Sequence, residues 1–415
     1  MDAITYRSGQ AYCEALPLRE LAEKYGTPLY VYSGAALDAR CDALKAAFAG
    51  HPTLPCYAVK ANTNLSLLKR IAGHGFGADV VSVGELEKAL LAGIPASQIV
   101  YSGVGKLRSE IERALDVGIL SFNVESVGEL TLISEVAQKK QKRAPVTLRI
   151  NPNVDAKTNP YIATGLYSTK FGIAENEMTW FLEIASNNRW LDLVGLSCHI
   201  GSQITDLNPF REVAERMATL SREIQAKGFA LRLLDLGGGL GIRYHNENLP
   251  GFEDYARTLI PAAQAAGVRL LIEPGRSVVG NTGVLLSQVL YVKRTPAKTF
   301  VIVDAAMNDL LRPSIYRSYH QIRAVKGDGV SRMENVDVVG PICETGDFLG
   351  LDRTLPELKP GDHVFVEGAG AYGFAMASNY NTRPRACEIL VDKDHARVVR
   401  KRETLEQLLA PELVD

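Results

Sequence analysis

The chain has 415 residues, 46% of them hydrophobic and 22% charged, with a formal net charge of -1. That length favours two domains over one, and the composition is that of a soluble globular protein. It excludes a polybasic nucleic-acid binder: the densest basic run, Lys139-Lys140-Gln141-Lys142-Arg143, reads as the solvated end of a helix before a strand. No segment has the uninterrupted apolar length of a membrane span. The first residues, Met1 to Arg7, lack the basic-then-apolar order of a secretion signal. Six cysteines stand singly, at 13, 41, 56, 198, 343 and 387, with no CxxC pair, so neither a zinc site nor a redox pair is indicated. A reduced, cytoplasmic protein is expected.

Along the chain, short apolar runs ending in polar or glycine residues alternate with amphipathic stretches. Eight such runs occur, the number that closes a barrel of alternating strands and helices. They are Cys56–Lys60, Ala78–Ser82, Ile99–Ser102, Ser121–Val124, Val146–Ile150, Val194–His199, Leu233–Gly237 and Leu270–Glu273. Between them, Gly84–Gly93 and Phe210–Lys227 carry apolar positions three and four apart, and Gly93 and Gly228 are stop signals. After about residue 280 the texture becomes β-rich. Val284–Val292, Thr299–Val303 and His363–Glu367 read as strands, and Lys359-Pro360-Gly361-Asp362 as a turn.

Working residues of such barrels sit at the C-terminal ends of the strands. Those positions hold Lys60, Asp79, Arg149, His199, the run Gly237-Gly238-Gly239, Glu273 and Arg276. A lysine at a barrel mouth can form a Schiff base with an aldehyde once burial lowers its pKa; taken alone it is more often a snorkelling surface residue. The glycine run after the seventh strand is a natural phosphate cradle, or a tight turn with no ligand. It does not fit GxGxxG, because Ile242 occupies the last glycine position, and Gly103-Val104-Gly105-Lys106-Leu107 is not a Walker loop. Glu273 can pair with a protonated pyridine nitrogen and Arg276 can fork onto a carboxylate, or the two form a rim salt bridge. His199 can stack on a flat ring, or serve as a hydrogen-bonded core histidine. In the β region, Cys343 can pass a proton to a carbanion and Glu344 can hold an ammonium, against the plainer reading of a buried cysteine beside a turn.

Six segments together resemble the alanine-racemase-like fold of pyridoxal-phosphate enzymes, and more narrowly the diaminopimelate decarboxylases. They are Tyr57-Ala58-Val59-Lys60-Ala61-Asn62, His199-Ile200-Gly201-Ser202-Gln203, Asp235-Leu236-Gly237-Gly238-Gly239, Glu273-Pro274-Gly275-Arg276, Met307–Pro313 and Gly340-Pro341-Ile342-Cys343-Glu344. The likeness runs from Gly26 to Gly373. It implies an eight-stranded β/α barrel, of the TIM type, over residues 26–280. A second, mostly β domain would come from residues 1–25 and 281–415.

The resemblance implies pyridoxal 5'-phosphate as cofactor, joined to Lys60, with Asp79 among the cofactor-binding residues and His199 stacked on the ring. Ser202, Gly238, Gly239 and the backbone from Glu273 through Gly275 to Arg276 would bind the phosphate, and Glu273 would face the pyridine nitrogen. Arg276, Arg312 and Tyr316 would hold the distal carboxylate of meso-diaminopimelate and Glu344 its distal ammonium. Cys343 would sit over the reacting carbon, and Tyr372 would touch cofactor and substrate. Cys343 and Glu344 would come from the neighbouring subunit of a homodimer. The product would be L-lysine.

Within the same fold, ornithine and arginine decarboxylases are the nearest rivals, and Glu344 with Arg312-Pro313 favours diaminopimelate. A carboxynorspermidine decarboxylase differs around His199-Ile200-Gly201-Ser202, and an alanine racemase would use a tyrosine as second base where this chain offers Cys343. A non-catalytic relative is disfavoured because Lys60 and Cys343 are both present. A barrel metalloenzyme is disfavoured because His199 has no His partner at ligand spacing.

Overall fold

The computed structural model describes residues 3–156, 158–327 and 331–414. Two compact units make up the chain: one comprises Cys41–Gly241 with Asn248–Ser277, the other Met1–Arg40, Ile242–Glu247 and Val278–Asp415.

The first unit is a closed parallel barrel. Its strands are β1 (Thr53–Ala58), β2 (Gly77–Val80), β3 (Ile99–Tyr101), β4 (Ser121–Val124), β5 (Ala144–Asn151), β6 (Leu191–Ser197), β7 (Leu233–Asp235) and β8 (Arg269–Ile272). Each pairs in parallel with the next, and β8 returns to β1 with Leu270 opposite Thr53. All eight apolar runs of the sequence lie on these strands or at their ends. Their continuous apolar character follows from being covered on both faces, as in all-parallel sheets. The fully buried Cys56, Val100 and Val194 belong to one apolar cluster with Leu54, Leu233 and Leu271.

The intervening helices begin and end where side-chain chemistry dictates. Ser82 caps Val83–Leu91 by accepting from Glu85 N, and Gly93 follows at φ 88°. Ser126 caps Val127–Lys140 in the same way, so the basic run does close a helix before β5. Asn208–Ala226 buries Phe210, Val213, Met217, Leu220 and Ile224 on one face, at the spacing of an amphipathic helix.

The second unit is β-rich. Strands Phe348–Pro356, Arg332–Val339, Thr299–Val303, Gly283–Arg294, Leu29–Ser33, Cys387–Asp392 and His395–Arg400 lie side by side in that order, and His363–Val366 pairs with both Gly283–Arg294 and Ile322–Ala324. The three runs read as strands from sequence are strands here. Leu29–Ser33, which the sequence placed with the barrel, instead lies between Gly283–Arg294 and Cys387–Asp392. All five of its residues are buried. Its partners are more than 250 residues away in sequence, so no local pattern reveals them. The core joins Leu29 and Val31 to Leu286, Phe365, Ile389 and Val391, and draws in Leu18 and Leu21 from the N-terminal helix Leu18–Tyr25.

Candidate active site

At the C-terminal end of the barrel strands the sequence concentrates its ionisable groups. Strand β1 stops at Ala58, and Lys60 follows in a single 3-10 turn, Val59–Ala61, not in the strand as the sequence suggested. The turn carries its ammonium to Asp79, one residue before the end of β2, and the two form an ion pair. Asp79 is fully buried, and its Oδ1 finds no donor among the described residues.

Glu273 follows β8 and is likewise buried. Burial, then the neighbouring carboxylates Asp235 and Asp79, push its pKa well above the carboxylate range, while Lys60 and Arg149 pull the other way. Asp235, at the end of β7, is raised to about 6, again mainly by burial. Four buried carboxyls, Asp79, Asp235, Glu273 and the Glu125 that pairs with Arg149 at 2.8 Å, against Lys60 and Arg149 leave this centre short of positive charge, and a site so arranged favours a proton or an N–H cation beside Glu273. Asn123 of β4 donates to Ser102 Oγ at 3.0 Å and to Glu273 Oε1 at 3.4 Å.

The glycine run is constrained by its neighbours. Asp235 Oδ1 accepts from Gly237 N at 2.9 Å. A Cβ on Gly238 would lie 2.0 Å from the Glu273 carbonyl oxygen, and one on Gly239 2.4 Å from that of Gly201. Gly237 and Gly239 also sit at φ 67° and 110°, where side chains are strained. Gly238 N donates to His199 Nδ1 at 3.2 Å. Burial, then Arg149 and Lys60, hold His199 well below its usual pKa, so the imidazole is neutral. Arg276 is buried and donates from Nε and Nη2 to Ser202 Oγ at 3.2 and 3.1 Å. A Cβ on Gly275 would meet those of Ala58 and Ala61 at 3.1 Å.

This set fits pyridoxal 5'-phosphate. A lysine paired to a buried carboxylate suits its aldehyde, and a neutral histidine suits its ring. A buried carboxyl in want of a cation suits its pyridine nitrogen, and close-packed glycines with Ser202 and the backbone from Glu273 to Arg276 suit its phosphate. Lys60, Asp79, His199, Ser202, Gly238, Gly239, Glu273, Gly275 and Arg276 all belong to the barrel unit. Asp235 and Asn123, which also shape this charge balance, were not singled out from sequence; their place at the ends of β7 and β4 was the available signal.

The other candidates belong to the β-rich unit. Arg312 opens the short helix Arg312–Tyr316, which also carries the half-buried Tyr316. Arg312 is buried, with Nη1 at 2.8 Å from His320 Nε2, Nη2 at 3.2 Å from Ser318 Oγ and its guanidinium over the Tyr244 ring. A guanidinium only donates, so His320 Nε2 accepts and its Nδ1–H points to the Glu367 carbonyl at 2.8 Å. Cys343 and Glu344 are neighbours on an exposed loop, against the reading of a buried cysteine. Asp347 fastens that loop, accepting from Ile342 N and Met307 N at 2.7 Å each. Tyr372, half-buried, holds φ 55°.

Residues 35–280 match the family described as "Pyridoxal-dependent decarboxylase, pyridoxal binding domain". The chain is 50% identical over 402 residues to a diaminopimelate decarboxylase of Neisseria meningitidis serogroup B, covering 97% of each chain. Among solved structures, it resembles the diaminopimelate decarboxylase of Helicobacter pylori complexed with L-lysine, with a TM-score of 0.92, 46% identity and coverage of 95% and 99%. It also resembles that of M. jannaschii in co-complex with L-lysine, with a TM-score of 0.95, 37% identity and coverage of 100% and 98%.

Proposed function

We propose that this chain, which belongs to the diaminopimelate decarboxylase family of pyridoxal-dependent decarboxylases, converts meso-diaminopimelate to L-lysine and carbon dioxide. The observation that carries the reading is the Lys60–Asp79 pair beside the buried Glu273, set against the glycine run and the Ser202–Arg276 contact. Pyridoxal 5'-phosphate, held by these groups and by His199, supplies an electron sink for the pair left when the carbon–carboxylate bond breaks.

The chain's own residues do the rest. Lys60 would join the cofactor through its amine nitrogen, and Asp79, which pairs with its ammonium, keeps that side chain in place beforehand. Glu273 holds charge or proton opposite the ring nitrogen in a site too buried to leave it bare. The neutral His199 offers a flat face without adding a cation that would compete with the ring. Arg276, Arg312 and Tyr316 take the distal carboxylate and Glu344 the distal ammonium, so the end of the substrate that does not react meets both signs of charge. Tyr372 touches cofactor and substrate, and Cys343 gives a proton to the carbon that has lost carbon dioxide. Plain diamines are rejected because they bring no carboxylate to meet these arginines.

Cys343 and Glu344 act in the site of a second copy, which makes the working form a homodimer; their exposure on this chain supports that use. The enzyme works in the cytoplasm on a small metabolite, with no membrane or nucleic-acid partner. No helix of the described residues is long and apolar enough to cross a membrane.

The test is to offer the holoenzyme meso-diaminopimelate, ornithine and arginine separately and to record carbon dioxide release and the near-visible spectrum. Lysine from diaminopimelate alone, with near-visible absorbance lost in Lys60→Ala, is the expected result. Turnover of ornithine instead would keep the cofactor and sink the substrate.

A further inference from the structure

The loop that carries Cys343 and Glu344 does not stand by itself. It leans on the turn Tyr380–Thr382, whose side chains reach both residues. Tyr380 Oη donates to Glu344 Oε2 at 2.9 Å, and Cys343 N donates to Asn381 Oδ1 at 3.3 Å. Two adjacent residues thus each touch one of the two adjacent residues given chemical roles above.

The turn is built to hold that geometry at a cost. Asn381 and Thr382 are both left-handed, at φ 56° and 55°. Asparagine tolerates that region, whereas a β-branched threonine is strained in it. Strain of this kind persists only where the surroundings over-determine it, and here they do. Asn379 Nδ2 donates to Glu403 Oε2 at 2.7 Å and to the Arg383 carbonyl at 3.0 Å. Arg385 donates to the same Glu403 carboxylate from its backbone N at 2.9 Å and from Nε at 2.7 Å. On the other side, Ser378 N donates to the Asn308 carbonyl at 2.9 Å. Arg383 Nη2 donates to the Asp304 carbonyl at 2.6 Å.

We propose that Tyr380 and Asn381 are positioning residues for this reaction, Tyr380 orienting the Glu344 carboxylate and Asn381 fixing the backbone that carries the Cys343 thiol. The proposal rests on the function proposed above. A hydroxyl donated to one oxygen of Glu344 leaves the other to meet the substrate's distal ammonium, so Tyr380 acts on binding. A backbone anchor on Cys343 sets where the thiol proton can be delivered, so Asn381 acts on turnover.

The test separates the two in the holoenzyme. Tyr380→Phe is expected to raise KM for meso-diaminopimelate about tenfold with kcat within about twofold. Asn381→Gly keeps the left-handed backbone and removes the acceptor; it is expected to lower kcat about tenfold with little change in KM. Asn381→Asp, which keeps the acceptor, should recover most of that kcat. Cys343 is the exposed cysteine among the described residues. Its alkylation by iodoacetamide should therefore speed up about threefold or more in Asn381→Gly as the loop loosens. Variants within twofold of wild type, or kcat and KM falling together in step with thermal stability, would overturn the proposal. Should the wild type form no lysine, the function fails, and alkylation alone decides the positioning: equal rates in wild type and Asn381→Gly would sink it.

Discussion

The backbone N–H of Gly238 donates to His199 Nδ1 at 3.2 Å, and this contact fixes both the tautomer and the charge of the imidazole. With Nδ1 accepting, any ring proton sits on Nε2, and burial beside Arg149 and Lys60 opposes a second. His199 is therefore expected to stay neutral where an ordinary histidine takes up its proton, followed by NMR of a histidine-labelled sample. His199→Ala should weaken cofactor binding about tenfold, as the loss of an aromatic face does, measured by titrating the near-visible absorbance.

The glycine run tolerates no side chain. A Cβ at Gly238 meets the Glu273 carbonyl oxygen at 2.0 Å, and a backbone atom cannot swing aside. Gly238→Ala is expected to cost about 1–3 kcal/mol of stability and to abolish most cofactor uptake. Thermal unfolding and near-visible absorbance read the two effects separately.

A buried ion pair lies beside β3 and β4. Lys106 pairs with Glu129, both almost wholly buried, and also donates to the Gly103 and Asn123 carbonyls at 2.7 and 2.8 Å. Lys106→Met leaves the buried Glu129 without its cation, so that it carries an uncompensated charge or takes up a proton, which should cost about 3–5 kcal/mol in denaturant unfolding. Adding Glu129→Gln should recover part of the loss, because the stranded carboxyl goes with it.

Asp309 makes stability depend on pH. Burial raises its carboxyl from 3.8 to about 7 in the folded protein. Between those values the folded state binds more protons than the unfolded one, so stability falls as pH rises through that window and levels off above it. Asp309→Asn keeps an acceptor for Ala306 N, whose bond to Asp309 Oδ2 is 3.0 Å. It should flatten the slope between about pH 5 and 7 and, at pH 8, stabilise by roughly 2–4 kcal/mol. Urea midpoints of both proteins across that range check it.

Much of this was legible in the sequence, and what was not has a common cause. The barrel announces itself because each strand is a local apolar run, and its ends deliver Lys60, Asp79, His199 and Glu273 to one place by closure alone. Leu29–Ser33 escaped because its partners, Gly283–Arg294 and Cys387–Asp392, are remote in sequence, and an apolar run does not say which sheet it joins. Asp235 was read as part of a glycine segment, and its contribution to Glu273 emerges only when β7 and β8 lie side by side. Tyr380 and Asn381 have no pattern of their own; contact with Glu344 and Cys343, more than thirty residues earlier, gives them meaning.

The most direct test of the account is to incubate the cofactor-loaded wild type and Lys60→Ala with meso-diaminopimelate and to quantify lysine and carbon dioxide together. One lysine per carbon dioxide from the wild type and neither from Lys60→Ala is the predicted result. Lysine formed at the wild-type rate without Lys60, or carbon dioxide released without lysine, would contradict it.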